Sequence, residues 1–461
     1  MGKKISYCGF NMVESLLRHT PEQLEVFLNR MNTLRLNTLM VQYDYGFKHY
    51  RELLLQYCSR YGIELRLMVF GPRSFFRLAD WNPDMLSRQK DGKLFTDTLE
   101  CETWPCRYAP GALEQFEYGA ERFFAQLPVE IKYIQMRSGD GYNSCCCPQC
   151  RQHTIRDNWQ PFVAAFIRAG RKIRPDVKLE ADVYLKRYEL PSDLSVYAAL
   201  DSIMYDTFMR YPRRRLNAFS PNQGAMPLLL NDTAPSLSPN EYHGQQILQW
   251  SKAFPGKITV HENIMMQSYY GINQFNTRAM LDDLDFFAEA GVNSVLYEAY
   301  EPGFRFFAPN FEAAARKFNG IIEDYSMNEL EKRLSNHPCP DGLFNITDID
   351  IAANISDPVM RKNFTLRKKL LQSGSPEDFR NYANFACENT DSLDTLFIVY
   401  NHARQFIQSG QLDFSGAPAE ARKMLAYRKL WDYMENLPEP DKAVATCLRN
   451  INYLISNVRS F

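Results

Sequence analysis

Eight short strand-like runs alternate with amphipathic helical runs over the first two-thirds of this 461-residue chain, and that alternation limits the fold more than any other feature. The strand-like runs fall at about residues 5–10, 38–44, 64–70, 131–137, 178–185, 202–208, 257–262 and 293–299. Each mixes β-branched and aromatic residues with alternating polar ones, as a half-buried strand does. Helical spacing fills the gaps. Thr20-Pro21-Glu22-Gln23 is a capping box with proline at the first helical position, and Leu24, Phe27, Leu28 and Met31 follow on one face. Residues 51–61, 112–125, 159–173 and 277–290 repeat the theme. Eight β-then-α units in about 320 residues predict an α/β fold, a (β/α)₈ TIM barrel over residues 1–325. Its longest insertions follow strand three (71–111) and strand six (210–255), at the rim where loops set substrate choice.

After about Tyr325 the strand signal stops. Helical patterns at 358–372, 375–387, 392–408, 417–434 and 442–458 predict an all-α C-terminal domain over 326–461.

Composition removes several classes of partner. Formal net charge is −1, with 53 basic against 54 acidic residues. That balance argues against nucleic-acid and anionic-membrane binding, which need a basic surface. Arg213-Arg214-Arg215, a compact basic run, reads as a solvated loop. No window is long and apolar enough to span a bilayer. The start, Met1-Gly2-Lys3-Lys4-Ile5, lacks the apolar core of a secretory signal, so a cytoplasmic location is expected. Eleven cysteines without a repeated framework read as reduced or metal-bound thiols.

The most informative stretch runs from Ile131 to His153. A strand ends at Ser138-Gly139-Asp140-Gly141, which places Asp140 on a loop at the strand's C-terminal end, where barrel enzymes keep their catalytic groups. Cys145, Cys147 and Cys150 follow at C-x-C-x-x-C spacing. A closed tetrahedral zinc site needs a fourth ligand, for which Cys106 is the first candidate and Cys101 and His153 are competitors. The expected cofactor is one structural Zn²⁺.

Carboxylates mark the other strand ends: Asp44, Asp182, Asp206, Glu262, Glu298 and Glu301. Glycoside hydrolysis needs two carboxyls about 5–5.5 Å apart for retention, or about 6.5–9.5 Å for inversion. Strands four and seven face each other across a barrel mouth. Asp140 is therefore expected as general acid and Glu262 as nucleophile or orienting base, with Glu298 in reserve. Arg137, Asp44, Asp182, Tyr184, Asp206 and His261 are the expected substrate-binding residues. No nucleophile elbow, P-loop, H-E-x-x-H or dinucleotide fingerprint occurs in the right context.

The C-x-x-x-P run at Cys106–Pro110, a helix, strand four, a loop carboxylate and then C-x-C-x-x-C resemble the zinc-site arrangement of glycoside hydrolase family 42 β-galactosidases. In that family a four-cysteine zinc supports the loop after strand four. Gly139-Asp140 stands here in place of its Asn-Glu pair. The chain more closely resembles bacterial barrel proteins long catalogued as a domain of unknown function and later linked to glycoside hydrolase family 163. That resemblance rests on the C-x-x-x-P stretch, the Asp-Gly and thiol run, and Gly291-Val292-Asn293-Ser294-Val295 leading to Glu298. It implies a retaining glycosidase with a β-linked N-acetylhexosaminide-like or galactoside-like substrate. A non-catalytic carbohydrate-binding barrel and a sugar lyase or isomerase are the alternatives, because fold does not fix function.

Overall fold

The computed structural model describes residues 5–12, 21–75, 82–88, 92–93, 104–138, 145–208, 210, 214–218, 237–263, 277–299, 304–321 and scattered positions between 362 and 385. Eight parallel strands close into a barrel in chain order. They are β1 (Tyr7–Met12), β2 (Thr38–Gln42), β3 (Glu64–Phe70), β4 (Tyr133–Arg137), β5 (Lys178–Val183), β6 (Ser202–Asp206), β7 (Ile258–Glu262) and β8 (Ser294–Ala299). A helix follows each: α1 (Pro21–Thr33), α2 (Lys48–Tyr61), α3 (Ala112–Gln126), α4 (Ile155–Ile173), α5 (Ser195–Ala198), α6 (Pro239–Ala253), α7 (Thr277–Ala290) and α8 (Phe304–Phe318). This is the (β/α)₈ barrel that the alternation predicts. The helical tail expected over 326–461 lies outside the described residues, apart from those scattered positions.

Strand pairing decides which side chains enter the lumen. From Gln42 the paired residues run through Met68, Gln135 and Glu180 to Ser202. Carried through the remaining registers, the circuit returns to a point opposite Leu34, eight residues before its start. A shear of eight staggers the strands so that the lumen fills in layers of four side chains from alternate strands.

The uppermost strand layer, at the C-terminal end, is Gln42, Arg137, Asp206 and Glu298. Beneath it lie Asn11, Met68, Asp182 and His261, and beneath those Met40, Gln135, Met204 and Leu296. Met40, Met68, Met204 and Leu296 pack as one apolar cluster. Polar residues therefore cap an apolar plug, and the cap faces the C-terminal mouth of the barrel. Lower down, a Cβ on Gly9 would lie 1.6 Å from the Thr38 carbonyl oxygen, so only glycine fits where β1 meets β2.

The strand faces that point outward bury the apolar faces of the helices. Phe116, Phe123 and Phe124 of α3 meet Phe162 and Phe166 of α4 in this shell, all nearly inaccessible. The start of α4 is fixed by a reciprocal cap: Thr154 Oγ1 accepts from the Asp157 N–H at 3.1 Å, and the Asp157 carboxylate accepts from Thr154. That cap also ends the cysteine loop, which runs directly into it.

Candidate active site and thiol cluster

Asp206 and His261 are register partners on β6 and β7, and both are fully buried. The Asp206 Oδ2 to His261 Nδ1 distance is 2.8 Å, and Arg137 donates to the same oxygen at 2.9 Å. Asp206 Oδ1 accepts from the Phe208 N–H at 2.9 Å and from the Asn263 side chain. On the far side of the ring, His261 Nε2 lies 2.9 Å from Asn11 Nδ2 on β1. His261 thus bridges Asp206 and Asn11, with both of its ring nitrogens engaged. Burial alone would raise the Asp206 carboxyl. The charges of His261 and Arg137 and the hydrogen bonds from His261 and Phe208 outweigh it, holding Asp206 below the usual carboxylate range.

Arg137 crosses the lumen from β4 to reach this pair, and its guanidinium covers the Tyr184 ring at 4.7 Å from the centroid. Tyr184 also packs edge-on against Phe208 and is buried, so its ring is not an open stacking face. Asp182 accepts from the Ser138 N–H at 3.3 Å and from its hydroxyl at 3.0 Å. Its carboxyl is raised by burial, against the opposing charges of Arg187 and Arg137. Ser138 in turn accepts from Arg187, and its carbonyl oxygen accepts from Trp104 Nε1 at 2.8 Å. The indole lies over Gly71, where φ is +34° and an added Cβ would fall 1.9 Å from the ring. A glycine at the end of β3 thus seats the tryptophan that holds the end of β4.

Of the residues expected at the mouth, Arg137, Asp182, Asp206, His261 and Glu298 face the lumen in its two upper layers, with Tyr184 just above. Glu298 is the register partner of Asn11, which the stagger sets one layer lower, and is 2% exposed. Glu262 goes elsewhere. It follows the inward-facing His261, and its register partner is Tyr297, whose ring packs outward on Phe311 of α8. Its carboxylate meets Arg210 at 3.1 Å, and Arg210 meets Asp283 of α7 at 2.7 Å. Burial, with Asp283 nearby, raises the Glu262 carboxyl to about 7 despite Arg210. Strand alternation therefore corrects the placement expected of Glu262: it lies behind the barrel wall.

Asp44 is held by Lys48 at 2.6 Å and by the Ser74 hydroxyl at 2.6 Å, tying the ends of β2 and β3 together. Asp140, Glu301 and Cys101 lie outside the described residues. The sequence reading missed Gln42, Asn11 and Arg187. A polar residue set among apolar ones in strand runs one and two was the available signal for the first two.

The four sulfur atoms of Cys106, Cys145, Cys147 and Cys150 all lie within 4.8 Å of one another. Cys106 is 3.7 Å from both Cys147 and Cys150. That is far beyond a disulfide bond, and a tetrahedron with metal–sulfur bonds of about 2.3 Å has edges of about 3.8 Å. Backbone N–H groups of Arg88 and Cys150 donate to Cys145 and Cys147 sulfur at 3.3 and 3.4 Å, as they do to thiolates. Sulfur–sulfur contacts drive Cys145 far below the ordinary thiol range, while Cys150 rises far above it and Cys106 to about 11. The donor set and its spacing fit a metal ion. Residues of the β3 insertion clasp the loop: Leu86 bridges Pro105, Cys106 N–H bonds to Met85 O, and Cys146 N–H bonds to Arg88 O. His153 stacks on Tyr108 and is not part of the cluster.

No protein-family model matches this chain, and no curated protein sequence does. Among solved structures it is similar to a polyextremophilic beta-galactosidase from the Antarctic haloarchaeon Halorubrum lacusprofundi, at 13% identity and a TM-score of 0.46 over 68% of this chain and 58% of that one. It is also similar to a beta-N-acetylhexosaminidase, at 13% identity and 0.44 over 73% and 76%. Flavobacterium johnsoniae chitobiase gives 12% identity and 0.48 over 99% and 73%. The chain spans 58% of the length of the haloarchaeal enzyme. At such identity and overlap these likenesses add nothing to what the strand register shows. Among the described residues no helix is long and apolar enough to cross a membrane.

Proposed function

We propose that this chain is a glycoside hydrolase acting on a β-linked sugar, N-acetylhexosaminide-like or galactoside-like. The observation that supports it most is the upper lumen layer, in which Glu298 and Asp206 project toward the C-terminal mouth beside Arg137 and Gln42. Asp206 is saturated by His261, Arg137, Asn263 and the Phe208 N–H, so its part is to hold the floor rigid and charged. Glu298 takes the role that the sequence alone gave to Glu262, that of nucleophile or orienting base. Asp140, from the segment after β4, remains the general acid on sequence grounds. In the thiol cluster a zinc ion would brace the chain just downstream of Asp140, a supporting role outside the chemistry. The substrate partner is a carbohydrate.

The Asp206–His261 couple favours one other reading, a lyase or isomerase in which the imidazole moves a substrate proton. Both ring nitrogens already face protein groups, Asp206 and Asn11, which weighs against it. A panel of aryl β-glycosides assayed between about pH 4 and 8 tests the choice. Turnover of one anomer supports the glycosidase. Sugar binding without turnover supports a carbohydrate-binding barrel instead.

A further inference from the structure

Resting on the glycosidase reading, we propose that Gln42 is a ligand-binding residue whose amide oxygen accepts a hydroxyl of an uncharged sugar, and that the floor it completes rejects carboxylated sugars. Gln42 is the fourth member of this layer and is 3% exposed, yet among the described residues its Oε1 has no hydrogen-bond partner. A buried acceptor left unpaired costs about 1–3 kcal/mol, so such atoms usually meet a partner that arrives from outside. On β1, one layer down, Asn11 Oδ1 is in the same position. Turning the Asn11 amide over would only exchange which of its atoms is left, because the other faces His261.

The lumen mouth thus has two unlike sides. On the β4, β6 and β7 side, Arg137, Asp206 and His261 satisfy one another. On the β1 and β2 side, two neutral amides present acceptor oxygens. A ligand that meets them must bring O–H or N–H donors, as a sugar ring does. A carboxylate would find no cation to receive it in this layer, since Arg137 is engaged with Asp206 and the Tyr184 ring. It would also lie beside Asp206 and Glu298, where like charges repel.

The test compares wild type with Gln42→Met, which keeps the volume and removes the acceptor, and with Gln42→Glu. Melting-temperature shifts by N-acetylglucosamine, galactose and glucuronate are measured, with kcat and KM on the aryl β-glycosides of the same sugars. The expected result is a response of wild type to a neutral sugar and none to glucuronate. Gln42→Met should weaken the neutral sugar roughly tenfold, the worth of one hydrogen bond, mainly in KM. Its melting temperature without sugar should hold or rise, because an unpaired buried amide has been removed. A purely structural glutamine would instead lose stability on this change. Unchanged sugar affinity in Gln42→Met, a fall in its unliganded melting temperature, or preference of wild type for glucuronate would each overturn the inference while leaving the glycosidase reading standing. If no sugar binds or turns over in wild type, both fall together.

Discussion

Asp206 and His261 lie side by side on β6 and β7 with 2.8 Å between carboxylate and imidazole, and Arg137 reaches the same oxygen from across the barrel. All three are buried, and each leaves the others uncompensated if removed. Asp206→Ala is therefore expected to cost about 3–5 kcal/mol of folding stability by stranding the Arg137 charge. Asp206→Asn, which keeps the shape and the Asn263 and Phe208 neighbours, should cost less. Urea denaturation of the two variants checks the order.

The thiol cluster predicts about one zinc per purified chain by elemental analysis. Cys106→Ser removes the ligand that ties the β3 insertion to the loop after β4, so it should abolish stoichiometric metal and lower the melting temperature. Cys146→Ser, one residue from two ligands but outside the cluster, should retain the metal.

Glu262 predicts a pH dependence of stability. Its carboxyl sits at about 7 in the fold against an ordinary value of 4.5. The folded chain thus holds the proton more tightly than the unfolded one. The corresponding stability is complete below about pH 4.5 and is lost as pH rises through 7, on the order of 3 kcal/mol across that window. Glu262→Gln cannot lose that proton and should flatten this part of the stability curve. Thermal melts from pH 5 to 8 compare the two proteins.

The barrel was legible because alternation repeats eight times, and each repeat independently demands a parallel strand and a covering helix. The thiol cluster was legible because Cys145, Cys147 and Cys150 share one short loop and Cys106 precedes the same unit. Glu262 was misplaced for a local reason: strand ends were read without register, and one residue separates the lumen from the outer wall. His261, its neighbour, shows the same alternation from the other side. Gln42 escaped notice because an uncharged amide carries no chemical signature until its layer is known. Trp104 and Arg187 act through Ser138, a contact between insertions that spacing cannot reveal.

In the proposed glycosidase the chemistry belongs to the carboxylates facing the mouth, with Glu298 foremost, and not to Glu262. The most direct measurement is kcat of Glu298→Gln beside Glu262→Gln on whichever aryl β-glycoside wild type cleaves, at a pH where both variants are folded. Glu298→Gln should lower kcat by about three orders of magnitude or more, and Glu262→Gln should stay within a few-fold of wild type. A Glu298→Gln enzyme with wild-type kcat, or a collapse of kcat confined to folded Glu262→Gln, would contradict the assignment of Glu298.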